Sequence, residues 1–129
     1  ALFHGLDAKV QFLCADWTQP FKTQFRHFDI IISNPPYIKT DQIHNLQPEI
    51  HRYEPVQALD GGNDGLNCLR EIISKAHFLL SPGGTLLLEV GHDQRQALEQ
   101  IVRAYTCYEA PVFYKDYSGY DRVLSIKRK

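Results

Sequence analysis

Short apolar runs and segments of helical periodicity alternate along the chain. Residues 28–32 form an apolar run that ends at a polar pair and two prolines, which predicts a strand buried on both faces. Over residues 64–80 apolar positions recur three and four residues apart, which predicts a helix with Asn63 or Asp64 as its N-cap. A second apolar run, residues 85–90, predicts another buried strand. Strands alternating with helices predict a doubly wound α/β domain.

The remaining segments show weaker patterns. Residues 9–15 alternate loosely between apolar and polar positions and predict a strand that ends at Asp16 and Trp17. Residues 39–63 predict a long irregular loop, and a loop of this length usually covers a site or binds a ligand. Further predicted elements are the tail of a helix over residues 1–7, a helix capped by His92 and Asp93 that runs to about Tyr105, and an antiparallel pair over residues 108–115 and 122–127.

Composition is that of a globular domain with its own core. The chain has 129 residues, one domain's worth, and 43% of them are hydrophobic. A net charge of −1 argues against a protein held on nucleic acid chiefly by phosphate contacts. Three widely spaced cysteines, with no Cys-x-x-Cys pair, fit reduced thiols in the cytoplasm. The six histidines lack metal-binding spacing, so no metal site is expected, and no apolar run is long enough to span a membrane.

The candidate chemistry lies in the tetrapeptide Asn34-Pro35-Pro36-Tyr37, directly after the first predicted strand. Open α/β sheets bind their ligands at the carboxyl ends of such strands. Prolines have carbonyls but no N–H, so the loop is rich in hydrogen-bond acceptors, including the Asn34 side chain and the Pro35 carbonyl. The Tyr37 ring offers a flat surface to a planar group. A bare Asn-Pro would indicate an ordinary turn, but these four residues after a buried strand favour a clamp for a planar amino or amide nitrogen.

Several other motifs accompany the tetrapeptide and carry a family resemblance. Asn-Pro-Pro-Tyr after such a strand resembles motif IV of S-adenosylmethionine-dependent methyltransferases that modify amino or amide nitrogens. Nearly from end to end, the chain is similar to the HemK/PrmC family, which methylates a glutamine side-chain nitrogen in peptide-chain release factors. The matching segments are residues 32–38, 52–55, 58–59, 62–65, 82–84, 87–91 and 115–122.

This resemblance implies roles for particular residues. Asn34, Pro35, Pro36 and Tyr37 would form the catalytic clamp, and Asn34 would also contact S-adenosyl-L-methionine. In the family an Asp-Trp or similar pair lies beside the adenine of the cofactor, so Asp16 would accept from the adenine amino group and Trp17 would stack on the ring. On residue types alone, a polar strand end and a core tryptophan explain this pair equally well.

Two charged residues of the long loop, Arg52 and Glu54, match a family element that packs near the active site. A structural ion pair that holds the loop would explain them equally well.

The sequence also lacks parts that the family uses. The acidic-x-Gly-x-Gly-x-Gly loop that carries the methionine end of the cofactor is absent, as is the acidic strand end that holds the ribose. Family sheets have the strand order 3-2-1-4-5-7-6, and strands 1 and 2 would lie between the strands predicted at residues 9–15 and 28–32. Residues 1–129 are therefore expected to be the C-terminal portion of one Rossmann-like class I methyltransferase domain that ends in an antiparallel hairpin. Such a chain would be inactive alone, and its unpaired strand edges favour self-association.

Two other functions stay open on the sequence. Asn-Pro-Pro-Tyr also serves exocyclic amines in adenine-N6 and guanine-N2 methyltransferases that act on DNA or RNA, although the small net charge argues against a nucleic-acid substrate. A truncated, non-catalytic domain that binds a release factor or partner subunit would explain the absent glycine loop. The resemblance favours a cytoplasmic methyltransferase with a release factor as its protein substrate and no membrane partner.

Overall fold

The computed structural model describes residues 2–6, 8–19, 21 and 28–129. Short helical segments and strands alternate in this part of the chain, with the longest helix between the first two strands. The strands are β1 (Phe28–Ser33), β2 (Leu80–Glu89), β3 (Val112–Lys115) and β4 (Asp121–Lys127). The α-helices are α1 (Pro48–Tyr53), α2 (Asn67–Leu79) and α3 (Arg95–Arg103), and short 3-10 helices cover Leu2–His4, Thr40–Asn45 and Val56–Ala58.

The described strands form one mixed sheet in the order β1-β2-β4-β3. β1 and β2 are parallel, so their connection must cross over the sheet, and it contains α2. β4 pairs antiparallel with β2 on one side and with β3 on the other. The predicted mixture of helices with a sheet and the closing hairpin are therefore confirmed, with the first hairpin strand shorter than expected.

In the part of the chain that the structure describes, one hydrophobic core covers one face of this sheet. Leu86 and Leu88 of β2 alternate with less buried neighbours, and they pair across the ladder with Ile126 and Leu124 of β4. These four side chains are fully buried and form one cluster with the apolar residues of α2 and α3. Burial of each such side chain contributes about 1.5–3 kcal/mol to folding. The helices cover this face because their apolar residues repeat at helical spacing.

The opposite face of the sheet is more open. Ile30 and Ile32 of β1 are 58% and 73% exposed, whereas Ile31 packs against the core. Successive residues of a strand point to opposite faces, and the core covers only one of them. The prediction that residues 28–32 are buried on both faces is therefore wrong.

The strand predicted over residues 9–15 is also wrong. These residues have no ladder with any described strand, and they are exposed, including Phe12 at 84%. A strand needs a neighbour to satisfy its backbone N–H and C=O groups, and in the described part of the chain β1 pairs with β2 alone. Loose alternation of residue types cannot supply that neighbour.

The predicted helix caps differ from the observed ones as well. The N-cap of α2 is Leu66, and the Asp64 carboxylate accepts the Leu66 N–H at 3.1 Å while it pairs with Arg70. The N-cap of α3 is Gln94, so His92 and Asp93 lie before the helix. Residues 39–63 were predicted to be irregular with a weak helical pattern around Ile43 to Ile50, and they contain three short helical segments, two of which overlap that pattern. The predicted helix tail over residues 1–7 is a 3-10 turn in its described residues.

No helix of the described residues is long and apolar enough to cross a membrane. Within the same residues, no three His, Cys, Asp or Glu side chains are grouped as metal ligands would be. Cys14, Cys68 and Cys107 are free thiols.

Candidate functional site

The loop of residues 34–37 begins where β1 ends. Pro35 and Pro36 have no N–H for a ladder, so the strand stops at Ser33. Because β1 and β2 are parallel and Ser33 pairs with Leu88, the loop lies beside the segment that follows β2. The tetrapeptide therefore lies at the carboxyl ends of two parallel strands, which is where the sequence predicted it.

A second segment runs along this loop and pairs with it. The Ile38 N–H donates to the Leu59 carbonyl at 3.0 Å, and the Gly61 N–H donates to the Ile38 carbonyl at 2.8 Å. The Asp60 carboxylate then accepts the Thr40 hydroxyl at 2.7 Å and the Gly62 N–H at 2.8 Å. The Gly62 hydrogen bond, followed by that of Thr40, lowers the pKa of Asp60. The long loop thus folds back on the tetrapeptide and fixes its exit.

A cavity of about 120 Å³ opens between these two segments. Its lining combines the tetrapeptide with two residues of the loop that pairs with it: Asn34, Pro35, Pro36, Tyr37, Ile38, Ala58 and Leu59. The match of residues 58–59 to the HemK/PrmC pattern was noted in the sequence without a role. The structure places them against the candidate clamp.

Hydrogen-bond acceptors at this cavity have no partner among the described residues. No described donor reaches the Asn34 side chain or the carbonyls of Pro35 and Pro36. Asn34 is exposed, and Pro35 is buried. The arrangement can therefore accept hydrogen bonds from an incoming amino or amide group.

Tyr37 is held at its hydroxyl by a residue that the sequence did not single out. The hydroxyl donates to Glu89 Oε1 at 2.8 Å, although the two residues are 52 positions apart. Glu89 is the last residue of β2, so the parallel pairing brings it to the tetrapeptide. Partial burial, and then the hydrogen bond to this carboxylate, raise the pKa of Tyr37 above its ordinary value. The phenol is therefore neutral at physiological pH and serves as a donor.

Tyr37 is also held at its backbone carbonyl, by Gln94. The buried Gln94 side chain donates to the Tyr37 carbonyl at 3.1 Å and to the Gly65 carbonyl at 2.9 Å, and it accepts the Gly91 N–H at 2.9 Å. A carbonyl can only accept and an N–H can only donate, so these partners fix the orientation of the amide. No spacing in the sequence marks Gln94, whereas Glu89 could have been noticed as a carboxylate at the end of an apolar run.

Gly65 allows this close approach. Its φ is +74°, a region that favours glycine, and a Cβ atom there would lie 2.4 Å from the Tyr37 carbonyl oxygen. Gly61 is similarly confined, because its Cβ would lie 2.8 Å from the Tyr37 Cα. The glycines of residues 61–65 therefore let the loop press against the tetrapeptide.

The closing hairpin contributes a charged pair to the same edge of the sheet. Arg122 donates to the Asp116 carboxylate through Nε and Nη2 at 3.3 Å, and to the Val90 carbonyl through Nη1 at 3.3 Å. The Asp116 carboxylate also accepts the N–H groups of Ser118 and Tyr120. The hydrogen bond from the Tyr120 N–H, and then that of Arg122, lower the pKa of Asp116. This pair ties the hairpin to the residue that follows Glu89.

The Asp16–Trp17 pair, predicted to bind adenine, lies apart from this cluster. Both residues are exposed, and the Asp16 carboxylate accepts the Gln19 side chain at 2.8 Å. Trp17 has a φ of +48° and lines a larger apolar cavity, of about 300 Å³, beside Ser33 and the edge of β1. The cavity around Asn34 does not include either residue. Trp17 and the tetrapeptide therefore lie next to neighbouring cavities at the end of one strand.

Arg52 and Glu54 are exposed at the end of α1. No ion pair or side-chain hydrogen bond links them to a described residue. The alternative in which they form an ion pair that holds the loop is therefore not observed.

Comparison with known proteins identifies relatives along almost the whole chain. The family model for Eco57I restriction-modification methylase matches residues 6–86. The release factor glutamine methyltransferase of Thermodesulfovibrio yellowstonii is 43% identical over 92% of this chain and 42% of that protein. The corresponding protein of Caulobacter vibrioides is 42% identical over 92% of this chain and 40% of its own length, and that of Clostridium botulinum is 37% identical over 98% and 44%.

A solved structure is also similar. The crystal structure of protein-(glutamine-N5) methyltransferase (release factor-specific) from Alicyclobacillus acidocaldarius matches with a TM-score of 0.43 and 28% identity, over 51% of this chain and 42% of that one. The chain spans about two fifths of the length of its curated relatives. The family model covers more than half of it. The chain therefore belongs to the methyltransferase family that this model describes, and its resemblance to the HemK/PrmC release factor glutamine methyltransferases is confirmed.

Proposed function

We propose that this chain is the C-terminal portion of a catalytic domain that methylates the side-chain nitrogen of a glutamine in a peptide-chain release factor. The observation that carries the proposal is the pair of open acceptors, the Asn34 side chain and the Pro35 carbonyl, at a cavity whose wall includes Tyr37. A primary amide presents two N–H donors on one planar nitrogen, which suits such a pair. The names of the relatives at about 40% identity support the same substrate.

The mechanism follows from the chemistry of the amide. Its nitrogen is a poor nucleophile because the lone pair is delocalised into the carbonyl. Asn34 and the Pro35 carbonyl accept the amide N–H groups, which places the nitrogen and stabilises the positive charge that develops on it. Pro36 keeps the loop stiff, and the Tyr37 ring packs against the amide plane. No strong base is needed, because the proton can leave after methyl transfer.

The methyl donor we propose is S-adenosyl-L-methionine, which supplies an electrophilic methyl group on a sulfonium when it is bound. The exposed carboxylate of Asp16 fits the adenine amino group, and the exposed indole of Trp17 fits the adenine ring. Asn34, at the end of the strand that Trp17 flanks, contacts the cofactor in this proposal as well. Residues for the methionine and ribose ends are absent from the sequence of this chain.

We further propose that the domain is Rossmann-like, of class I, and incomplete in this chain. The order β1-β2-β4-β3 corresponds to 4-5-7-6 of the family sheet, which would leave the place of strand 1 beside β1. The apolar cavity at this edge, lined by Phe28, Ile31 and the Ile72 and Ala76 side chains of α2, supports a missing neighbour. The three free thiols agree with a cytoplasmic enzyme.

Calorimetric titration of the 129-residue chain with S-adenosyl-L-methionine, together with its mass in solution, tests this incompleteness. We expect no binding and a self-associated species, because the unpaired edge of β1 can recruit another chain. Tight binding by a monomer would contradict the proposal that part of the cofactor site lies outside this chain.

Asn34→Ala tests the clamp in the full-length enzyme. We expect kcat for methylation of a release factor to fall by at least ~10², the loss seen when one preorganised polar group is removed. Asn45→Ala, at an exposed asparagine of the Thr40–Asn45 turn, is the matched control and should leave kcat unchanged. Retained activity in Asn34→Ala would rule out the assignment of Asn34.

The match to the Eco57I methylase model favours a second candidate, methylation of an exocyclic amine in DNA or RNA. The same assay with duplex DNA and with RNA distinguishes the two candidates. Methylation of nucleic acid, with an affinity that falls steeply as salt rises, would favour the second one. We expect no methylation of DNA or RNA, because the net charge of this chain is −1.

A further inference from the structure

Two side chains from outside the tetrapeptide form hydrogen bonds with Tyr37, one with its carbonyl and one with its hydroxyl. We propose that Gln94 and Glu89 are positioning residues for methyl transfer, Gln94 through the Tyr37 carbonyl and Glu89 through the Tyr37 hydroxyl. This inference rests on the proposed function and extends it to two residues that contact no substrate.

Gln94 is a buried junction between three segments. It is 4% exposed and bonds to the tetrapeptide at Tyr37, to the loop before α2 at Gly65, and to the loop after β2 at Gly91. One amide makes all three bonds, and its loss would leave the buried Gly65 carbonyl, the buried Gly91 N–H and the partly buried Tyr37 carbonyl without this partner. Such unsatisfied groups cost about 1–3 kcal/mol each, so neighbouring segments would shift to recover them.

A shift at Tyr37 reaches the clamp because the loop is short and stiff. Two prolines separate Tyr37 from Asn34, and their fixed φ angles limit how the intervening backbone can absorb a movement. The Ile38 carbonyl and N–H on the far side are bonded to the loop of residues 59–61, so that side is held as well. The position of the Pro35 carbonyl and the Asn34 side chain therefore depends on where Tyr37 is anchored.

Gln94 holds the backbone of Tyr37, whereas Glu89 fixes the orientation of the Tyr37 ring. The Tyr37 hydroxyl donates a hydrogen bond of 2.8 Å to the Glu89 carboxylate at the end of β2, and this bond anchors the ring to the sheet. Hydrogen bonds to an ionised partner are stronger than those between neutral groups. The raised pKa of Tyr37, caused by burial and then by this bond, agrees with a phenol that stays a donor. The ring then presents a fixed face to the planar amide.

Gln94→Glu in the full-length enzyme tests the carbonyl anchor. The variant keeps an acceptor for the Gly91 N–H but replaces the donor that faces the Tyr37 and Gly65 carbonyls. We expect kcat to fall between about tenfold and a hundredfold, the cost of a small misplacement, while the affinity for S-adenosyl-L-methionine stays within about twofold. Activity should recover in part as pH falls, because a protonated carboxyl can again donate to one carbonyl.

Gln96→Glu makes the same chemical change at an exposed position of α3 and is the control for charge and helix effects. A kcat for Gln94→Glu within about twofold of that of Gln96→Glu, in folded protein, would overturn the role of Gln94. A purely structural role would lower stability but leave kcat per folded molecule unchanged.

A double-mutant cycle of Glu89→Ala with Tyr37→Phe tests the hydroxyl anchor, and it remains informative if Gln94→Glu fails to fold. If Glu89 acts through Tyr37, its removal should lower kcat in the Tyr37 background but have no further effect in Tyr37→Phe. Additive losses would overturn this role. Glu109→Ala, at an exposed glutamate, is the control.

Amide hydrogen exchange separates failure of the anchor from failure of the proposed function. In Gln94→Glu, the Ile38 and Gly61 amides, which bond across to each other's segments, should exchange faster than in Gln96→Glu. If wild-type enzyme methylates no glutamine, the proposed function fails, while faster exchange would still support the anchor. Unchanged exchange would overturn the anchor whatever the activity.

Discussion

The two ends of the candidate site are built differently. At the Tyr37 end, Glu89 and Gln94 form hydrogen bonds with Tyr37, and the loop of residues 61–65 packs closely against it. At the Asp16–Trp17 end, the side-chain hydrogen bond formed among the described residues is local, from Gln19 to Asp16, and the indole of Trp17 is exposed. One end is therefore set by the fold of the described chain, and the other is set by its local backbone.

This difference shows which part of the candidate site the packing of the described chain already holds in place. A substrate amide at the clamp would meet acceptors that packed segments already hold, so little reorganisation is needed. Binding of a ring at Trp17 would have to order the exposed Trp17 side chain, and the entropy lost would make the free energy of binding less favourable. The proposed strand beside β1 would therefore change the Trp17 end far more than the Tyr37 end.

Gly65→Ala should have the largest effect, because it places a new side chain against the Tyr37 end of the site. The new Cβ would lie 2.4 Å from the Tyr37 carbonyl oxygen, at a φ of +74°. Overpacking and left-handed strain together should lower the free energy of unfolding of the full-length enzyme by about 3 kcal/mol. Urea unfolding measures this change.

Gly119→Ala is the matched control for Gly65→Ala. It shares a positive φ, +85°, but its Cβ would have nothing within 4 Å. The loss should therefore be limited to conformational strain, about 1 kcal/mol. Equal losses in the two variants would mean that Gly65 matters for its backbone conformation alone, and the close contact with Tyr37 would carry no weight.

Trp17→Ala should have a smaller effect that falls on binding rather than stability. Because the indole is 42% exposed and lies outside the core cluster, the free energy of unfolding should change by no more than about 0.5 kcal/mol. Loss of a stacking surface should weaken S-adenosyl-L-methionine binding to the full-length enzyme by about 1 kcal/mol, roughly fivefold. Calorimetry provides both the affinity and the control, since Trp17→Phe should bind nearly as well as wild type.

The sequence predicted local features well and long-range contacts poorly. The apolar run at residues 28–32 identified a strand, although Ile30 and Ile32 are exposed and Ile31 packs against the core. The periodicity of residues 64–80 identified a helix because it reflects burial against that core. The tetrapeptide was placed at a strand end because neither Pro35 nor Pro36 has an N–H to donate to a ladder. The grip on Tyr37 was missed because Glu89 and Gln94 lie 52 and 57 positions away, and only the parallel pairing of β1 and β2 brings them close.

The wrong predictions have the same origin. The alternation in residues 9–15 and the polar residues before α2 and α3 fit a strand and N-caps, but partners decide both structures. Residues 9–15 have no neighbouring strand in the described chain, and Asp64 is engaged with Arg70 and the Leu66 N–H. A pattern of residue types specifies which side chains can pack, whereas the partner comes from the fold.

Asp116→Asn should have the smallest effect on stability, and it tests how the hairpin supports the Tyr37 end of the site. The folded-state pKa of Asp116 lies below its unfolded value, because the carboxylate accepts the Tyr120 N–H first and the Arg122 guanidinium second. A carboxyl group with a lowered pKa stabilises the fold above its unfolded pKa and loses that contribution as pH falls through the folded one. Wild-type stability should therefore decline as pH is lowered below about 4, and Asp116→Asn should decline less. Asp64, whose pKa is lowered chiefly by Arg70, should contribute to the same decline, so the Asp64→Asn/Asp116→Asn double variant should have the flattest profile in urea unfolding. A profile as steep as that of the wild type in Asp116→Asn would mean that the hairpin pair does not stabilise the folded chain, and Arg122 would then hold the Val90 carbonyl without help from Asp116.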